Sequence, residues 1–197
     1  MNFPLDLRFK TLAIAPQIFV TDASGQPLLY VRQKAFKLKE SITVFADEGQ
    51  TRALYRINAD RVIDFGARYI IEDAASGATL GAVRRRGLRS IWRAHYEVER
   101  GGAPLLEARE ENPWVKVADG LLGEVPILGL VSGYLFHPAY RLARAGSGEA
   151  FLRMKKQAAF LEGRYTIERT GPPAGDDDER LAVLGLLMLV LLERSRG

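Results

Sequence analysis

Twelve consecutive apolar residues, Leu181 to Leu192 (LAVLGLLMLVLL), are fenced between Asp176-Asp177-Asp178-Glu179-Arg180 and Glu193-Arg194. At about 1.5 Å per residue, a helix of that length covers roughly 18 Å, well short of the roughly 30 Å apolar core of a bilayer. A helix that is apolar on every face must still lie inside something. The acids ahead of it supply an N-cap and suit the positive end of the helix dipole, so the pattern predicts a buried helix over 176–194.

Upstream the period changes from helical to alternating. From Pro27 to about Arg109, short β-prone segments are separated by turn clusters such as Asp47 to Gly49, Asp73 to Gly77 and Glu99 to Gly102, the punctuation of an antiparallel meander. The clearest alternation runs from Leu88 to Val98. There Leu88, Ser90, Trp92, Ala94, Tyr96 and Val98 share one parity, while Arg89, Arg93, His95 and Glu97 take most of the other. A period of two places the first set in a core and the second in water. Further strands are predicted at Leu28 to Phe36, Ser41 to Ala46, Ala53 to Asn58, Ala67 to Asp73 and Thr79 to Arg85. The pattern resumes at Ala150 to Lys155 and Arg164 to Arg169, with Leu152, Met154, Tyr165 and Ile167 facing inward. Between the two blocks, Asn112 to Ala145 is apolar but broken by Pro126 and repeated glycines, which argues against one long helix. It reads as a short helical insert over 112–145. Strands whose edges need closing and a helix that needs a sleeve together suggest a β-barrel wrapped around the C-terminal helix.

Composition narrows the picture. A chain of 197 residues, 47% hydrophobic and 26% charged, suits a single globular domain over 1–197. The absence of cysteine excludes disulfides, a thiolate nucleophile and cysteine metal sites, and fits a reducing compartment. Met1 to Asp6 lacks the basic and apolar regions of a signal peptide, so the expected location is cytoplasmic, or peripheral to a membrane. Arg outnumbers Lys, and Ala, Gly and Leu are abundant, which fits the GC-rich coding bias of many bacteria as well as any need for guanidinium chemistry. A net charge of +4 is too small to demand nucleic acid, yet favours anionic surfaces wherever the cations cluster.

The order of elements carries a resemblance. The phrase Tyr69-Ile-Ile-Glu-Asp, then Gly77-Ala-Thr-Leu-Gly-Ala-Val-Arg-Arg-Arg86, then Ile91-Trp-Arg-Ala-His-Tyr-Glu-Val98, with the closing apolar helix, resembles the LURP-one-related proteins. These group with the phospholipid scramblases and the Tubby C-terminal domain. The resemblance spans roughly Leu28 to Leu192 and implies a mainly β fold: a closed antiparallel barrel of about twelve strands around a central hydrophobic C-terminal helix. The apolar insert is where the chain departs from that pattern. In this superfamily some Tubby domains bind phosphoinositide headgroups, scramblases are membrane-linked, and none is a conventional enzyme.

Candidate sites follow from charge and apolarity. Arg84, Arg85 and Arg86, with Arg89 and Arg93, form the densest positive run, around a turn expected at Gly87. Guanidinium groups fork onto phosphate oxygens, and clustered cations attract an anionic leaflet by about 1 kcal/mol each. Arginines on a solvated barrel rim are the alternative. Lys155 and Lys156 join this surface if the two β blocks are neighbours. In the insert, Leu121, Leu122, Leu128, Leu130, Tyr134 and Phe136 offer either a membrane or partner contact or a cover for a barrel end. Neither His95 nor His137 has neighbours that complete a triad or a metal set, and a His95–Glu97 dyad is the one catalytic alternative. No catalytic residue, metal or cofactor is therefore expected. Trp92 and Tyr96 take the inward parity, which disfavours stacking on nucleic acid. The expectation is a non-enzymatic binding or scaffold domain, in peripheral contact with anionic phospholipid or a phosphoinositide-like headgroup, or with a protein partner. The alternative is a scramblase-like membrane protein that uses the insert or the C-terminal helix.

Overall fold

The computed structural model describes residues 1–10, 17–32, 41–61, 67–86, 95–111, 139–157 and 162–194. Twelve strands precede one helix among these residues: β1 (Leu5–Lys10), β2 (Gln17–Thr21), β3 (Pro27–Arg32), β4 (Ile42–Phe45), β5 (Ala53–Ala59), β6 (Arg68–Asp73), β7 (Thr79–Arg85), β8 (His95–Arg100), β9 (Ala103–Glu110), β10 (Ala139–Arg144), β11 (Ala150–Gln157), β12 (Glu162–Arg169) and α1 (Asp176–Arg194). Every strand pairs antiparallel with its neighbours in sequence, and β12 pairs with β1, from Leu5↔Ile167 to Lys10↔Glu162. The sheet thereby closes into a barrel with no free edge.

Two of these strands precede the predicted meander. β1, Leu-Asp-Leu-Arg-Phe-Lys, alternates strictly, with Leu5, Leu7 and Phe9 fully buried. A third strand corrects the expected insert: Ala139–Arg144 is β10, hydrogen-bonded on both sides, rather than helix. Residues 112–138, including Leu121, Leu122, Leu128, Leu130, Tyr134, Phe136 and His137, lie outside the described residues, as do Gly87 and positions 88–94 of the predicted Leu88–Val98 strand, Arg89 and Arg93 among them.

Helix α1 runs through the barrel. Leu181 to Leu191 are buried without exception, because the inner rows of all twelve strands converge on them. Each leucine so enclosed contributes about 1.5–3 kcal/mol relative to exposure. The closest approach is to β7 and β8, where two glycines make room. A Cβ on Gly185 would lie 2.7 Å from Val98 Cγ2, and one on Gly81 would lie 2.3 Å from the Glu99 carbonyl oxygen and 2.8 Å from Leu181 Cδ2.

The ends of the barrel differ. At the end that receives the start of α1, short turns join β2 to β3, β4 to β5, β6 to β7, β8 to β9 and β10 to β11, and in each of these hairpins a bulge shifts the register just before the turn. Bulges sharpen the local bend and twist of a strand pair. Arg100 pairs with Asp178 there, and Arg169, stacked 4.6 Å over the Phe3 ring, pairs with buried Glu179. At the other end the inner rows turn polar: the Tyr96 hydroxyl donates to Glu193 Oε1 at 2.7 Å, and Arg194 lies 3.9 Å over the Phe9 ring.

Candidate functional site

Strand parity divides the expected basic patch. Arg84 and Arg86 point outward from β7 and the residue after it, whereas Arg85 shares the inner row with Val83 and sits 5.9 Å over the Tyr96 ring. Lys155 points outward, 3.5 Å from Glu168, while Lys156 lies opposite Tyr165 on the inner row. The structure thus does not bring Arg84, Arg85, Arg86, Lys155 and Lys156 onto one face.

The outward arginines are engaged. Arg84 reaches Glu97 and Glu99 at 2.8 Å each, Arg86 reaches Glu97 at 2.7 Å, and Arg68 reaches Glu99 at 2.7 Å. Glu97 lies on the outward parity as expected, yet it is 1% exposed rather than in water, since guanidiniums from β7 fold over it. His95 faces Glu107 at 3.5 Å, not Glu97. Burial, reinforced by the Arg109 charge and opposed by Glu107 and Glu97, holds the His95 imidazole below its ordinary pKa. The two members of the alternative His95–Glu97 dyad therefore have separate partners.

Register creates a feature that no local motif announces. His95 stands opposite Arg109, Arg109 opposite Arg141, and Arg141 opposite Arg153, a row across the outer wall of β8 to β11. Cross-strand neighbours have Cβ atoms about 5 Å apart, and like charges so placed repel. Arg109 is matched by Glu107 at 2.5 Å and Arg153 by Glu111 through two bonds of 2.8 and 2.6 Å. Arg141 donates to the Gly148 carbonyl at 3.0 Å. Beside it opens a pocket of about 330 Å³ lined by Glu107, Arg109, Arg141, Ala143, Arg144, Gly146 and Gly148. Among the described residues no group of three or more His, Asp or Glu is placed to hold a metal ion.

Two comparisons with known proteins find similarities. The family model described as LURP-one-related matches residues 27–122, which contain β3 to β9. Over that segment, just under half of its length, the chain is similar to the LURP-one-related proteins. A protein from Arabidopsis thaliana solved by X-ray crystallography is similar over 97% of this chain and 91% of its own, with a TM-score of 0.50 and 13% identity, a likeness that shows the fold alone. No curated protein sequence matches significantly. Arg109 lies inside the matched range, whereas Arg141 and Arg153 lie beyond it. Sequence reasoning missed this row because its members are scattered along the chain and Arg141 fell within the stretch read as helical.

Proposed function

We propose that the chain is a non-catalytic binding domain whose outer wall, at β9 to β11, contacts an anionic surface, an anionic phospholipid leaflet foremost. The observation that carries this reading is the Arg109–Arg141–Arg153 row beside a pocket whose three guanidiniums outnumber its single carboxylate. The filled interior supports it: among the described residues α1 packs between the strands, which leaves the outer wall open to recognition. The separate partners of His95 and Glu97 support a binding role over a catalytic one.

The scramblase-like alternative is less well supported. Among the described residues no helix is long and apolar enough to cross a membrane, and α1 is enclosed by the barrel. Among the described residues the one large apolar side chain left exposed is Met1, the reverse of the outward apolar band of a membrane-spanning barrel.

Sedimentation with phosphatidylglycerol vesicles, against phosphatidylcholine vesicles and at low and high salt, tests the proposal. Binding to the anionic vesicles at low salt and release at high salt are expected, because exposed charges are screened. No binding at low salt would remove the lipid reading and leave a protein-protein scaffold.

A further inference from the structure

The fold places arginines opposite one another at three points on its outer wall, and two of them are resolved in the same way. Arg8 stands opposite Arg164, and Asp6 bridges them at 2.6 and 2.8 Å. Arg68 stands opposite Arg84, and Glu99 bridges them at 2.7 and 2.8 Å. At the third, Arg141 has a like charge on both sides, Arg109 and Arg153, and each flanking residue has its own carboxylate. Arg141 itself holds only the neutral Gly148 carbonyl among the described residues. A guanidinium has five donors in a planar fork, so this bond leaves much of its capacity unused.

The pocket lies where the missing acid would sit. Glu107 matches Arg109 and Glu149 stands 3.7 Å from Arg144, so the uncompensated charge beside the pocket is that of Arg141, and about 330 Å³ is at the small end of ligand-sized pockets. Arg144 is held 5.3 Å over the Phe151 ring, which fixes its stem beside the opening. An uncompensated guanidinium between two others calls for an anion, and several forked donors call for a group with several terminal oxygens. We infer that this pocket binds a phosphate monoester, whose dianion supplies between Arg109, Arg141 and Arg144 the bridging charge that Asp6 and Glu99 supply at the other two pairs. The inference deepens the proposed function by naming the recognised group, and it rests on that reading only where the monoester is borne by a lipid.

Inorganic phosphate is the first probe, titrated into the full chain while the arginine Nε–Hε resonances are followed by NMR. A saturable shift at Arg141 is expected at concentrations where acetate produces none. Arg141→Gln is expected to weaken phosphate binding about tenfold or more, Arg141→Lys by less because the charge survives without the fork. Both variants should melt as the parent does, since the side chain makes one surface contact. Arg8→Gln, in a pair already bridged, should leave phosphate binding unchanged.

Vesicles then separate the two sources. A preference for phosphatidic acid, a monoester, over phosphatidylglycerol, a diester, that Arg141→Gln abolishes supports a lipid headgroup. Saturable phosphate binding without that preference supports a soluble monoester. Equal binding of acetate, an Arg141→Gln variant that binds phosphate like the parent, or the absence of both responses overturns the assignment. Salt-sensitive binding to phosphatidylglycerol without any phosphate response overturns it too, while leaving the proposed function intact.

Discussion

Adjacent residues on one strand meet opposite fates in this barrel. Arg84 and Arg85 differ by one step in sequence, yet Arg84 joins Glu97 and Glu99 on the outside while Arg85 stacks on Tyr96 within. Lys155 and Lys156 repeat the division on β11. The inner wall consumes its side chains in packing around α1, and its polarity gathers at the two ends, Arg169 with Glu179 at one and Glu193 with Arg194 at the other. The outer wall keeps its charges in networks that a partner can enter. In such a barrel, composition within a strand says little about function until parity assigns each residue to one wall.

The sharpest way to break this contrast is to remove the filler. A chain truncated before Leu181 loses eleven consecutive buried residues and should show no cooperative unfolding transition by circular dichroism. A truncated chain that still melts cooperatively would show that the inner wall does not depend on α1. The outer wall is tested next by Glu97→Ala. It strips a buried carboxylate from two guanidiniums, and about 3 kcal/mol of stability should be lost in denaturant titration, at the low end for broken buried pairs because Arg84 and Arg86 regain water. A loss below about 0.5 kcal/mol would place Glu97 with ordinary surface pairs instead.

Smaller effects refine the same division. Gly185→Val forces methyl groups against Val98 and should cost about 2 kcal/mol, whereas Gly185→Ala should cost less, because better helix propensity offsets part of the overlap. Equal costs would mean that the helix simply shifts away from β8. The smallest effect concerns His95. Its folded pKa lies below its unfolded value, so below about pH 6.5 the unfolded chain binds a proton that the folded chain refuses. Stability should therefore fall as pH drops from neutral through that window, and His95→Asn should flatten the fall. An identical pH profile in the variant would assign the effect to another group.

Much of the architecture was legible because it depends on local periodicity. An apolar run too short for a bilayer and too greasy for a surface required an enclosure, and the turn clusters divided the remainder into strands. β1 had the same signal in Leu5, Leu7 and Phe9, but six residues ahead of the main block were too brief to weigh. β10 was hidden by its context, a glycine-rich apolar stretch that ends just before Ala139. The candidate site was illegible for a different reason. Arg109, Arg141 and Arg153 meet only through register, which arises from pairing among three strands and leaves no trace in local spacing. Glu97 was placed on the correct side of its strand, but its burial depends on arginines from neighbouring elements that parity cannot count.

The position of α1 after every strand that surrounds it sets the order of events during synthesis. A ribosome releases all twelve strands before their filler emerges, and β12 must then find β1 from the far end of the chain. Until both steps occur, the inward apolar rows have no partner, and the sheet can register only as an open ribbon. Such late, long-range closure is slow and exposes unpaired strand edges to other chains. The inward rows thus stay open to cross-pairing until Leu191 enters the core.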